Sequence, residues 1–507
     1  MSTETPLKNS DRKIPRTMST QHPDNVTIPF FANNAVLRGD DEIKEAYFAF
    51  SNLGVEEIMW DAEGKETDGF VIRKLITEYD SFFQANVMGR DVFITVRVPN
   101  PDYEKAEAKI LLETLESIPR SYDTAQMFYK DGDVSPIFEV IVPMADEKII
   151  NKIYHYYKNV VIGKESQKFI KGRSTTVGEW IGEFKPKTIN VIPLFEDIDA
   201  MLSVRDTMTS FLKGKEDEVK NQRVFLARSD PAMNVSSVAV VLVLQMALEE
   251  LGKLEAETGV PIHPILGCGT APFRGNFSPR TYQPVLERYP SVSTFTIQSA
   301  FKYDFPVQEA QKAISEINAS PIGAPHPVEN KEKLLKIVRK LSAEYRRQVA
   351  ILAPLVNEIA KFVPSRRMRK LHTGLFGYSR ELGGKGGVKL PRVISFCASL
   401  YSIGLPPDIL GLNALSAEEL DLVRTVYAGL DRNLHETLGM WNPDVLTILP
   451  RSVRSDIEAA VKAFDHVANK DYRAISSSMI KRVKAKNFDS QLTDLITRTG
   501  HLRGFLG

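Results

Sequence analysis

The stretch Val191–Asp199, VIPLFEDID, opens with five apolar residues and then turns acidic at Glu196, Asp197 and Asp199. A run that short reads as a buried strand, not a helix. The same grammar returns at Val224–Asp230, VFLARSD, where an apolar run again ends in a carboxylate and Pro231 marks a turn into a helix. Barrel enzymes keep their chemistry at the C-terminal ends of buried parallel strands. Glu196 and Asp230, on consecutive strands, could share one hard divalent cation. Taken singly, each acid reads equally well as a helix N-cap or first-turn residue.

Working outward, similar strand-like runs stand at Val55–Asp61, Asp91–Pro99, Ser135–Met144, Thr188–Glu196, Arg223–Asp230, His263–Gly267 and Thr294–Ala300. An eighth strand is expected at Arg392–Leu400. They recur every 30 to 50 residues or so with helical material between, the pattern of βα units on a parallel sheet. No G-x-G-x-x-G follows the first strand and no Walker-type glycine loop occurs, which argues against a nucleotide-binding doubly wound sheet. Polar residues close nearly every strand, so the fold expected is an elaborated (β/α)8 TIM-like barrel with additional, mainly C-terminal, helices. Residues 1–15 are polar and read as a flexible segment, with residues 16–507 forming one catalytic barrel domain with helical insertions. Val235–Lys253 is expected as a helix buried against neighbours or at a subunit interface, and Glu329–Val363 as a charged helix.

Of 507 residues, 65 are basic and 64 acidic, so no net field favours nucleic acid. Two cysteines, Cys268 and Cys397, do not make a disulfide framework and fit a reducing compartment. No apolar run approaches the length of a membrane span, and the N-terminus has no apolar core of a signal peptide. A cytoplasmic enzyme is expected, without nucleic-acid or membrane partners.

Several stretches carry candidate chemistry. Thr17–Asn25, TMSTQHPDN, holds His22 in a constrained loop, since a residue before proline avoids the helical region. By itself His22 reads as a surface loop histidine. Arg97, inside a β-branched strand, is either an ion-paired core residue or an anion ligand. Gly267, Gly269 and Gly275 with Arg274 describe a backbone able to approach a ligand with one guanidinium aimed into it. Phe376–Val388, FGYSRELGGKGGV, reads as a lid over an anion or as a plain linker. Ser365–Lys370, SRRMRK, reads as a solvated helix end rather than a nucleic-acid contact.

From Thr17 to Leu410 the chain resembles the short, archaeal-type phosphoenolpyruvate carboxylases, whose N-terminal motif TMSTQHPDN is its most specific signal. The resemblance implies carboxylation of phosphoenolpyruvate by bicarbonate to oxaloacetate and phosphate, supplying four-carbon acids to the tricarboxylic acid cycle. It also implies Mg²⁺, with Mn²⁺ as an alternative, and a homotetramer. Through it His22 becomes catalytic, with Arg97 and Arg274. Glu196 in PLFED and Asp230 in RSDPAMN become metal ligands, and Arg380, Arg392, Gln298 and the Gly267–Gly269 loop join the substrate site. Where longer family members carry further basic groups, this chain has Cys268, Met233 and Ser402, so Lys302, Arg369 or Lys385 are expected to supply the missing charge. The rival reading is a metal-dependent pyruvate-type C–C lyase on the same barrel.

Overall fold

The computed structural model describes residues 12–64, 67–130, 134–368 and 387–507, and the backbone of 381–382. Eight parallel strands close into a barrel in chain order. They are β1 (Thr17–Ser19), β2 (Glu57–Asp61), β3 (Phe93–Arg97), β4 (Glu139–Pro143), β5 (Asn190–Phe195), β6 (Gln222–Ala227), β7 (Ile262–Gly267) and β8 (Thr294–Ile297). The seven runs expected from Val55 to Ala300 are β2 to β8. The first strand lies inside the motif read as a loop. Its three residues carry no apolar run, and only pairing with both neighbours defines it, with Met18 beside Glu57 on one side and Thr296 on the other.

The run Arg392–Leu400, expected as the eighth strand, is helical. Val393–Ser402 forms a helix, and most of its residues are buried. A helix enclosed on nearly all sides loses its 3.6-residue periodicity, so an apolar run of this kind cannot be told from a buried strand by pattern alone.

The helices that frame the site are α1 (Asp40–Ser51), α2 (Val71–Glu78), α3 (Ala108–Tyr129), α4 (Ser229–Val235), α5 (Ser237–Thr258), α6 (Lys331–Ala360), α7 (Val393–Ser402) and α8 (Ser490–Arg503). Ser236, at φ 102°, breaks α4 from α5, and its side-chain oxygen caps α5 by accepting from Ala239 N at 3.1 Å. Every residue of α5 from Ser237 to Leu248 is buried within this chain. Helix α6 buries Leu334, Ile337, Leu341, Tyr345, Val349, Leu352, Val356 and Ile359, the i, i+3, i+4 stripe of an amphipathic helix. No single helix among the described residues is long and apolar enough to cross a membrane.

Candidate active site

Adjacent strands deliver the two acids side by side. β5 and β6 pair Leu194 with Phe225 and Phe195 with Leu226, so Glu196, just past β5, lies next to Asp230 in the first turn of α4. Both line a cavity of about 520 Å³ at the C-terminal mouth of the barrel. Asp197 is the helix cap of this stretch, accepting from Ala200 N at 2.8 Å, which leaves Glu196 for the cavity. Glu63, two residues beyond β2, joins them. Glu196 accepts one backbone bond, from Met144 N at 3.2 Å. Burial pushes its carboxyl well above the usual range, the charges of Glu63 and Asp230 push it further, and Arg97 pulls it partly back.

Arg97 closes β3 as an ion-paired residue. It forms a bidentate pair with Asp61, Nε to Oδ1 at 2.9 Å and Nη2 to Oδ2 at 2.8 Å, and its Nη1 lies 3.3 Å from Glu63. It also faces the cavity. The register dictates the pair, since Asp61 and Arg97 are direct neighbours in the sheet. His22 lines the same cavity with Nδ1 2.9 Å from Thr20 Oγ1. The loop that carries it is pinned by Asp24, wholly buried, whose Oδ1 accepts from Ala300 N at 2.7 Å.

Arg392, at the N-terminus of α7, lines the cavity as well. Arg380 lies outside the described residues, as do Arg369 and Lys385.

Arg274 is held by partners within the protein. Its Nη1 donates to Asp24 at 3.0 Å and to the Gly507 backbone oxygen at 2.8 Å, its Nη2 to Gln298, and its Nε to Ser229 at 3.2 Å. It is 1% exposed and does not line the cavity, and neither does its partner Gln298. The glycines of this loop serve packing. A Cβ at Gly267 would stand 2.9 Å from the Phe225 ring, and one at Gly269 would stand 2.9 Å from the Arg274 guanidinium carbon. An aimed arginine in a glycine-rich turn is thus satisfied internally, because a buried guanidinium without a carboxylate is too costly to leave.

Lys302, expected to supply anion-binding charge, is also committed. Its Nζ donates to Ser19 Oγ at 2.9 Å, to Thr20 O at 3.1 Å and to Glu45 at 2.9 Å. The SRRMRK stretch does reach the cavity. Arg366 and Arg367 line it, although that stretch reads as a solvated helix end. Arg367 donates to Glu42 at 2.8 Å and Glu45 at 2.6 Å. Burial opposes ionisation of Glu45, but Arg367 and Lys302 outweigh it and bring that carboxyl down to about 2. At Ser402, where the resemblance implies a missing basic group, Arg503 of α8 donates to the serine hydroxyl at 3.3 Å. Of the groups that sequence reasoning missed, Glu63 has the Asp-x-Glu spacing after β2 as its only signal. Arg366 and Arg367 have their position between a long helix and the glycine-rich stretch.

Among the described residues, no group of three or more His, Cys, Asp or Glu side chains is placed to hold a metal ion by itself. The arrangement is two neighbouring carboxylates with a third nearby, faced by Arg97, Arg392 and His22. Such a site can hold an anionic ligand against guanidinium groups beside an oxygen-liganded cation.

The family profile named Phosphoenolpyruvate carboxylase matches residues 14–507. The phosphoenolpyruvate carboxylase of Methanothermobacter thermautotrophicus is 47% identical over 496 residues, covering 98% of this chain and 100% of the relative. That of Methanospirillum hungatei is 46% identical, again over 98% and 100%, and that of Pyrococcus abyssi is 44% identical over 97% and 100%. With a barrel that brings the carboxylates, His22 and the arginines to one mouth, and a match running over nearly its whole length, the chain belongs to the phosphoenolpyruvate carboxylase family.

Proposed function

We propose that this protein carboxylates phosphoenolpyruvate with bicarbonate, giving oxaloacetate and phosphate. The observation that carries the reading is the cavity in which Glu196, Asp230 and Glu63 face Arg97, Arg392 and His22.

Members of this family generally depend on a divalent metal. The residues present fit one: the donors are all hard oxygens, and Glu196 is crowded by like charges that a bound cation would relieve. Two protein carboxylates suit Mg²⁺, which is usually bound by one or two carboxylates with its other positions left to water and substrate oxygens. Glu196 and Asp230 would hold Mg²⁺ or Mn²⁺, and the bound ion supplies Lewis-acid polarisation of substrate oxygens.

The protein's own groups do the rest. Arg97, fixed by Asp61, and Arg392 hold the substrate's phosphate and carboxylate and neutralise charge as the phosphoryl group passes to bicarbonate. Bicarbonate oxygen bonds to phosphorus while the bond to the enol oxygen breaks, leaving carboxyphosphate and the enolate of pyruvate. His22 accepts the carboxyphosphate proton as that species separates into phosphate and CO₂. The enolate carbon then bonds to CO₂. Thr20, on Nδ1, sets the ring so that Nε2 is the nitrogen assigned to this transfer. Val363, Pro364, Val393 and Ile394 in the cavity lining exclude water that would otherwise protonate the enolate. Arg380 is proposed as a further anion ligand on the resemblance alone. Arg274 and Gln298 act by holding the Gly267–Gly269 loop against Asp24 on the His22 loop. We read residues 16–507 as one catalytic unit, assembled as a homotetramer in the cytoplasm.

The test is oxaloacetate formation from phosphoenolpyruvate, coupled to NADH oxidation by malate dehydrogenase. Activity that requires both bicarbonate and Mg²⁺ is expected. Silence from a folded, metal-loaded sample that cleaves an aldol-type substrate would replace this reading with the lyase.

A further inference from the structure

A second cavity, of about 390 Å³, lies on the outer side of the barrel wall between β2, β3, α3 and the segment leading into α2. Small-molecule sites generally run from about 300 to 1,000 Å³. Its floor is apolar, made by Trp60, Val96 and Ile137 on the barrel side, with Ile110 of α3 beside them. Trp60 and Val96 are the strand residues beside Asp61 and Arg97. Side chains alternate along a strand, so this floor is the reverse side of the wall that carries those two site residues.

Helix α3 buries Leu111, Leu115 and Ile118, and beside that stripe it turns hydroxyls toward the cavity. Thr114, Ser117 and Ser121 all line the cavity. Ser117 spends its proton on Thr114 O at 2.8 Å and Ser121 on Ser117 O at 3.1 Å, so both present oxygen lone pairs. The mouth is cationic and aromatic. Phe70, 43% exposed, is flanked by the Arg120 guanidinium at 4.3 Å and that of Arg73 at 4.6 Å. Arg120 also donates from Nη2 to Gly69 O at 2.9 Å, which uses one of its five N–H donors.

Two acids stand at the rim. Asp68 is compensated by Lys74 at 2.6 Å, while Glu113 is exposed and disfavours a dianion. The cavity thus offers one guanidinium, an apolar floor, acceptor oxygens along one wall and a penalty on a second negative charge. We propose that it binds a small amphipathic monocarboxylic acid, with the carboxylate on Arg120 and the hydrocarbon body against Trp60 and Val96. The segment that forms its mouth is tied to the active-site strand: Thr67 Oγ1 donates to Asp61 O at 2.9 Å and Trp60 Nε1 to Asp68 O at 3.2 Å. The proposal is independent of the carboxylation reading, because binding is measured without turnover.

The experiment is isothermal titration of the full chain with hexanoate. One molecule per chain is expected, with Kd on the order of 1 mM or tighter for so small a ligand. The neutral analogue hexanamide should bind about tenfold more weakly, and Arg120→Gln should weaken hexanoate by about the same factor without altering the thermal midpoint. Ser117→Phe fills the cavity and should abolish binding. Equal affinity for acid and amide, or unchanged hexanoate binding in Ser117→Phe, would overturn the proposal. So would the absence of any saturable heat in the unmutated chain, which does not depend on a variant folding.

Discussion

At the N-terminal end of the barrel, Arg223 of β6 reaches Glu57 of β2 at 2.7 and 2.8 Å, Glu139 of β4 at 2.9 Å and Thr294 of β8 at 3.1 Å. At the C-terminal end, Glu196, Asp230 and Glu63 gather around Arg97, itself already paired with Asp61. The residue types are the same and the outcomes opposite. Burial disfavours the charge on Arg223, but Glu57 and Glu139 outweigh it and its pKa rises. Glu196, surrounded by acids, is driven toward its neutral form. A charge cluster in which each group holds its neighbours ionised is structural, whereas one that drives a buried carboxylate toward its neutral form is suited to taking up a cation.

The largest effect expected from this contrast is on chemistry. Asp230→Ala should lower kcat/KM in the coupled assay by at least about a thousandfold, or roughly 4 kcal/mol. The same change removes one of the two like charges that raise the Glu196 carboxyl, so that pKa should move back toward its ordinary value, read by carboxyl titration of the metal-free protein. An unmoved Glu196 titration would separate Asp230 from this cluster. At the other end, Arg223→Met leaves Glu57 and Glu139 buried without their cation and should cost about 3 kcal/mol, seen as a lower unfolding midpoint in urea. Unchanged stability there would remove the basis of the comparison.

Asp61→Asn sharpens it within the site. Arg97 would lose its bidentate carboxylate, and the KM for phosphoenolpyruvate should rise about tenfold with a smaller change in kcat. The smallest effect concerns His263 of β7, near Arg223. Burial first and Arg223 second depress its pKa to about 4. The unfolded chain, at an ordinary value of about 6.5, therefore binds the proton more readily. Stability from this group is fully present above pH 6.5 and is lost as pH falls toward 4. His263→Gln should flatten that slope by about 1 kcal/mol, measured as urea midpoints across the window.

The sequence alone determined the alternation of β and α, seven of eight strands, and the carboxylates Glu196 and Asp230 at strand ends. Those features follow from local pattern: a short apolar run, a turn and an acid lie within a few residues of one another. It also singled out His22 and Arg97, both of which face the cavity. Only the tertiary structure decided which charges are compensated. Arg274 meets Asp24 across 250 positions, Arg367 meets Glu45 across 322, and Arg223 meets Glu57 across 166. No local periodicity encodes such pairs, so Arg274 and Lys302 read as ligands while Arg366 and Arg367 read as surface. The first strand was hidden for a related reason: Thr17–Ser19 is a strand only because β2 and β8 hold it on both sides. Burial charges a penalty for every unmatched ion, and whether a match exists depends on what the closed barrel brings within about 3 Å.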